Sequence, residues 1–385
     1  MLNKIAADRF LKALDRLEYG SLDLTMPNGR RYGFEGKQPG AAATLAIEDW
    51  SVPARLAQNG DLGFAEAYRD GLWHSDDLQS LVTLSLQNED AVHSYLYGNC
   101  MGRWMAVASY LMKMNSLRGS RRNIQAHYDL GNDFYKLWLD PTMTYSAALF
   151  GQDGDLTQAQ LNKYDRIIDR LQAESGSVLE IGCGWGGFAE RAAERGDYSI
   201  KGITLSDEQY EFARNRVKDR ASIVLEDYRA QEGTFDNIVS IEMFEAVGEK
   251  YWQTYFQKVG GLLRRGGCAV IQTITIEDKR FETYRRGSDF IRSFIFPGGL
   301  LPSPERFAAE AAKSGLAVKD RFEFGQDYAT TMEHWLGSFD RKIADVRQLG
   351  YDEGFIRLWR FYLAACIAGF RTGRTNVMQV ELQHA

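Results

Sequence analysis

The chain has 385 residues, 44% hydrophobic and 25% charged, the balance of an ordinary globular protein with room for one large or two ordinary domains. Its formal net charge of −6 argues against a general nucleic-acid binder. The four cysteines (Cys100, Cys183, Cys268, Cys366) and five histidines are scattered without a CxxC or His-x-His pair, so neither a disulfide framework nor a metal site is expected.

Met1–Leu17 reads as an amphipathic helix, with Leu2, Ile5, Phe10, Leu14 and Leu17 near one face. Leu22–Met26, a turn at Pro27-Asn-Gly29 and Arg31–Phe34 predict a β-hairpin. A strand at Thr44–Glu48 and helices around Val52–Ala57 and Leu78–Leu86 complete a small α+β domain over 1–90. Between those helices lies the glycine- and acid-rich stretch Gly60–Gly71. No apolar run approaches the ~18 residues of a transmembrane helix, and nothing at the N-terminus resembles a signal peptide. The expected location is therefore cytoplasmic.

Residues 91–122 differ in composition. Arg103, Lys113, Arg118, Arg121 and Arg122 are interleaved with Trp104, Met105, Val107, Tyr110, Leu111, Met112 and Met114, with no Asp or Glu. Such a basic, apolar helix and linker suits an anionic membrane surface. A helix packed on its own domain, followed by a solvated linker, explains the same residues.

From 123 onward aromatics and small polar residues cluster in Ala126–Tyr135 and Asp140–Phe150, and a helix is expected over Leu156–Leu171. Val178-Leu-Glu-Ile-Gly-Cys-Gly-Trp-Gly-Gly187 then combines a strand, a glycine turn and the start of the helix Phe188–Glu194. Beyond it, strands (Tyr198–Leu205, Ser222–Glu226, Phe235–Ser240, Ala269–Ile276) alternate with helices (Asp207–Lys218, Lys250–Leu263). That rhythm predicts an α/β doubly wound parallel sheet. An apolar insertion, Phe281–Phe296, interrupts it, and helices around Thr330–Leu349 and Gly354–Phe370 close the chain.

Gly182, Gly184 and Gly187 satisfy G-x-G-x-x-G, with Gly186 between them, a pattern shared by two nucleotide-type cofactors. A dinucleotide site wants a carboxylate at the end of the second strand, yet that strand ends Gly202-Ile-Thr-Leu-Ser206. The acid instead precedes the glycines, at Glu180. S-adenosylmethionine carries an ammonium and a sulfonium and no pyrophosphate, so this placement points to a class I methyltransferase. An NAD-dependent dehydrogenase is the disfavoured rival; a methyltransferase for a small soluble amine and a non-catalytic lipid-binding module are the others.

Several pieces resemble the cyclopropane-fatty-acyl-phospholipid synthase family: His127-Tyr-Asp-Leu-Gly-Asn-Asp133, Thr144-Tyr-Ser146, Glu180–Gly187, Gly202–Ser206 with Gln209, Asp227-Tyr228, Met243-Phe-Glu-Ala-Val-Gly248, Asp289-Phe-Ile291 and Ile295-Phe-Pro-Gly-Gly299. The resemblance implies that Tyr128, Tyr145, Ser146, Gly182, Gly184, Thr204, Leu205 and Gln209 hold S-adenosylmethionine, with Asp227 and Tyr228 beside the adenine. It implies an unsaturated phospholipid as substrate, a lipid-carrier-type N-terminal domain, a homodimer, and peripheral attachment to the inner membrane.

In this family a bicarbonate ion, held by a Cys, a Glu, a His, an Ile and a Tyr, is the proposed base. This chain keeps Glu245, Ile274 and Tyr328 but has Ala147 for the Cys and Gln272 for the His, while Ala246 replaces a frequent His. Gln and the Glu-Ala-Val-Gly form occur in plant-type cyclopropane synthases. A methyl group cannot donate to an anion, so either Gln272 and backbone amides hold it, or Glu245 is itself the base. The product is then a cyclopropane or, if a chain carbon loses the proton, a methyl-branched olefin of the kind that feeds furan fatty acids.

Overall fold

The computed structural model describes residues 2–89, 91, 130–152, 154–287 and 289–385. Residues 92–122 of the basic segment and Tyr128 lie outside the described residues. No helix among the described residues is long and apolar enough to cross a membrane.

One of two compact units draws its described residues from Met1–Met112, Tyr284–Ile295 and Trp335–Arg374. Its sheet holds β1 (Tyr19–Thr25), β2 (Arg31–Glu35), β3 (Gln38–Ile47) and β4 (Trp73–His74) in the order β2-β1-β3-β4. The expected hairpin forms, with Leu22 opposite Phe34, and β3 runs parallel to β1. The Gly60–Gly71 stretch forms the second part of the helix Val52–Arg69, which breaks at Gly60 where φ is 58° and ψ −140°, and the turn that follows it. Trp73, fully buried, stacks on Phe64 at 4.1 Å and meets the edge of Phe361 from the helix Glu353–Arg371. Phe281, Phe290 and Ile295 of the apolar insertion are buried, and Phe290 lies edge-on to Phe361 at 5.1 Å.

The other unit takes its described residues from Lys113–Thr283, Phe296–His334 and Thr375–Ala385. It contains β5 (Ser175–Ile181), β6 (Asp197–Thr204), β7 (Ser222–Leu225), β8 (Phe235–Ile241), β9 (Leu263–Ile276), β10 (Leu316–Glu323) and β11 (Thr375–His384). They form one sheet in the order β7-β6-β5-β8-β9-β11-β10. All adjacent pairs are parallel except those of β11, which runs antiparallel to both β9 and β10.

Val178, Leu179, Ile238, Val239 and Ile271 are buried, as continuous apolar runs in a covered parallel sheet must be. Ile167, Phe188, Ala213 and Val217, from the helices Leu156–Ile168, Gly187–Arg195 and Asp207–Val217, pack into the same core. Chain order reverses between β5 and β8, so the crevice beyond the carboxyl ends of these strands is where a ligand is expected. This is the class I methyltransferase arrangement.

Candidate active site

At that crevice a pocket is lined by the ends of β5, β6 and β8 and by Met143–Ser146. β5 delivers Glu180, and the turn beyond it bends through Gly182, Gly184 and Gly186 at φ of 82°, 53° and 82°. A side chain on Gly184 would project into open space, so the bare backbone there leaves room for a ligand against the turn. Glu180 is 2% exposed, and its Oε2 has no hydrogen-bond partner among the described residues. Burial, opposed by Lys163, pushes its pKa up to about 8. An unsatisfied buried carboxylate facing a glycine turn fits a ligand that brings its own positive charge.

β6 ends at Thr204, whose hydroxyl donates to Gln209 Oε1 at 2.9 Å, while Ser206 caps the following helix by accepting from the Gln209 N–H. Thr204, Leu205, Gln209, Tyr145, Ser146, Gly182, Gly184 and Tyr228 all line the pocket with Glu180. Gly186 and Asp227 do not line it. Gly186 starts the helix Gly187–Arg195 and packs toward Ala213. Asp227 accepts from Arg229 Nε at 2.9 Å and Nη2 at 2.6 Å; burial opposes its ionisation, but these bonds hold its pKa below the usual value. Arg229, which does line the pocket, is thereby fixed.

Two features, one beside the pocket and one in its lining, escape the sequence reading. Lys163 is fully buried and donates from Nζ to Ser146 Oγ at 2.5 Å. Burial lowers its pKa to about 7 against the pull of Glu242, Asp140 and Glu180. The second is Glu242, one residue past β8, at a φ of 50°. Its Oε1 accepts from the Ala147 N–H at 2.8 Å and from Gln272 Nε2 at 2.7 Å, and its Oε2 accepts from Tyr328 OH at 2.6 Å. Burial raises its pKa, and the three donors oppose the rise. An acid at the carboxyl end of a central strand is the signal that could have marked it.

The structure therefore gathers Gln272 and Tyr328 around Glu242. Glu245 lies apart from the pocket lining. Its Oε1 accepts from the Ile274 N–H at 2.5 Å, while Oε2 is buried without a hydrogen-bond partner among the described residues. Burial, reinforced by Glu242, pushes its pKa up to about 8. The orientation of Gln272 is also set. Arg166 can only donate, and its Nη1 does so to Gln379 Oε1 at 2.7 Å. Gln379 Nε2 then donates to Gln272 Oε1 at 2.9 Å, leaving the Gln272 NH₂ for Glu242.

A bound bicarbonate does not fit these residues. The donors that would hold it, at Ala147, Gln272 and Tyr328, serve the Glu242 carboxylate, and the Ile274 N–H serves Glu245.

Residues 115–380 match the family described as mycolic acid cyclopropane synthetase. The chain belongs to that family. It is 38% identical over 352 residues to the tuberculostearic acid methyltransferase of Mycobacterium tuberculosis, covering 86% of this chain and 81% of the relative. Identity to the cyclopropane-fatty-acyl-phospholipid synthase of Escherichia coli K12 is 34% over 342 residues, covering 88% and 87%. Among solved structures, it is similar to the mycolic acid cyclopropane synthase CmaA1 complexed with SAH and CTAB. That likeness has a TM-score of 0.64 at 32% identity and covers 68% of this chain and 98% of the other. The protein is an S-adenosylmethionine-dependent methyltransferase of lipid-modifying kinship, and the glycine turn with Glu180 suits that cofactor.

Proposed function

We propose that this family member transfers the methyl group of S-adenosylmethionine to the cis double bond of an acyl chain still esterified in phospholipid. One observation carries the reading: a buried, unpartnered carboxylate and a second, triply hydrogen-bonded carboxylate line the same pocket. Glu180 suits the cationic donor. Glu242 suits the opposite need, removal of a proton once the double bond has taken the methyl group and become a carbocation. Tyr145, Tyr164, Trp185 and Tyr228 also line the pocket, and aromatic faces stabilise a cation by ~2 kcal/mol when desolvated. Tyr145, Ser146, Gly182, Gly184, Thr204, Leu205, Gln209 and Tyr228 are the cofactor contacts in this reading. Gln272 and Tyr328 orient Glu242, while Ile274 and Glu245 stand behind it.

The relatives' names support two products. One is a cyclopropane, as in the name of the E. coli relative. The second is a methyl-branched unsaturated chain, favoured by Ala147 in place of a thiol and by the relative named for tuberculostearic acid. Transfer of a labelled methyl group from S-adenosylmethionine to the acyl chains of cis-unsaturated phospholipid vesicles tests the function.

The substrate also implies a place. Withdrawing about ten methylenes from a bilayer into water costs on the order of 8 kcal/mol at ~0.8 kcal/mol per CH₂, so the enzyme works at the membrane. The basic segment 91–122 supports peripheral attachment to the cytoplasmic face of an anionic inner membrane, and the family resemblance supports a homodimer.

A further inference from the structure

Within the reading just proposed, the identity of the base remains to be assigned. Three donors converge on one point of the pocket wall: the backbone N–H of Ala147, the amide of Gln272 and the hydroxyl of Tyr328. Such a cluster is built for an anion. Here the anion is part of the chain, and the amide of Gln272 is locked in its donating sense from behind by Gln379 and Arg166. Glu242 reaches the donors from a backbone φ of 50°, a conformation uncommon for a residue with a side chain and associated with functional positions.

We propose that the Glu242 carboxylate is the proton acceptor of the reaction, and that it replaces a dissociable bicarbonate in this chain. A carboxylate has about four lone-pair positions. Among the described residues, Ala147 and Gln272 occupy two on Oε1, and Tyr328 one on Oε2, which leaves Oε2 a free position. The step balances without a co-reactant. The π pair of the alkene forms the new C–C bond to the methyl carbon while the C–S pair returns to sulfur, giving S-adenosylhomocysteine and a carbocation. Glu242 Oε2 takes a proton from the new methyl group or from a neighbouring chain carbon. The released C–H pair closes the ring in the first case and forms a new double bond in the second. The carboxylic acid then returns its proton to solvent when product leaves.

The test uses the full-length protein with cis-unsaturated phospholipid vesicles in buffer stripped of carbon dioxide, with and without added bicarbonate. The expected wild-type rate is the same in both. E242Q is expected to lose about 100-fold or more in kcat, the usual scale for a general base, with S-adenosylhomocysteine affinity retained and no recovery in bicarbonate. E242G is accommodated at this φ and empties the donor cluster, so formate or bicarbonate should restore turnover saturably. A second readout does not depend on lipid: ¹³C-bicarbonate should show no bound line broadening with wild type and clear broadening with E242G. Bicarbonate-dependent wild-type turnover, ¹³C-bicarbonate binding to wild type, or near-normal activity of E242Q would overturn the proposal. Absent methylation of any phospholipid, with the bicarbonate pattern as expected, would instead reject the substrate and leave the donor cluster assigned.

Discussion

Glu180 is the residue on which cofactor affinity should depend most visibly. Its pKa of about 8 in the free protein leaves it mostly protonated at lower pH, and burial is the main cause. A cationic ligand favours the carboxylate, so binding below that pH releases a proton. Affinity for S-adenosylmethionine should therefore rise from about pH 6.5 to 8, by at most about tenfold per unit, and then level off. Calorimetric titration across this range should show the slope in wild type and a much flatter profile in E180Q; a flat wild-type profile contradicts the assignment. Glu180, Gly184 and Thr204 were legible in the sequence because their chemistry is carried by neighbours a few positions away. Glu242 was not. Its partners come from residues 147, 272 and 328, and the orientation of Gln272 depends on residues 166 and 379; sequence spacing holds none of this.

At the scale of elements, the central strands were legible because burial on both faces leaves short apolar runs such as Val178-Leu179, Ile238-Val239 and Cys268–Ile271. The two outer strands β10 and β11 were not expected. β10 is an edge strand whose charged residues, Lys319, Asp320, Arg321 and Glu323, guard it against further pairing. β11 carries a buried Gln379 among its apolar residues, which blurs its pattern, and its antiparallel course departs from the all-parallel sheet expected. The helix Glu353–Arg371 shows the same dependence on distant partners. Arg357 Nη2 donates to the Trp73 carbonyl at 2.6 Å, Nε donates to the Tyr68 carbonyl, and the guanidinium lies 4.1 Å from the Tyr68 ring centroid. R357A should lower unfolding free energy by about 2 kcal/mol, the scale of hydrogen bonds to a charged group. Denaturant unfolding checks this, and a loss near zero would mean that the carbonyls find water instead.

For the whole molecule, the N-terminal sheet and the methyltransferase sheet were both legible in outline. Assignment of 284–295 and 335–374 to the first unit was not, since nothing local in those segments names the residues they pack against. The proposed attachment to a membrane rests on the basic segment. Replacing Arg118, Arg121 and Arg122 with Gln removes three charges, each worth about 1 kcal/mol near an anionic surface, and should weaken sedimentation with anionic vesicles by roughly 100-fold at low salt. Unchanged vesicle binding would refuse that segment its role. The chemistry itself is read most directly from the purified protein incubated with trideuteromethyl S-adenosylmethionine and cis-unsaturated phospholipid vesicles, followed by mass spectrometry of the acyl chains. The expected product is an acyl group heavier by one carbon, with two deuteriums for a ring or three for a methyl-branched olefin. Deuterium absent from every acyl chain, while the same preparation binds the cofactor, would contradict it.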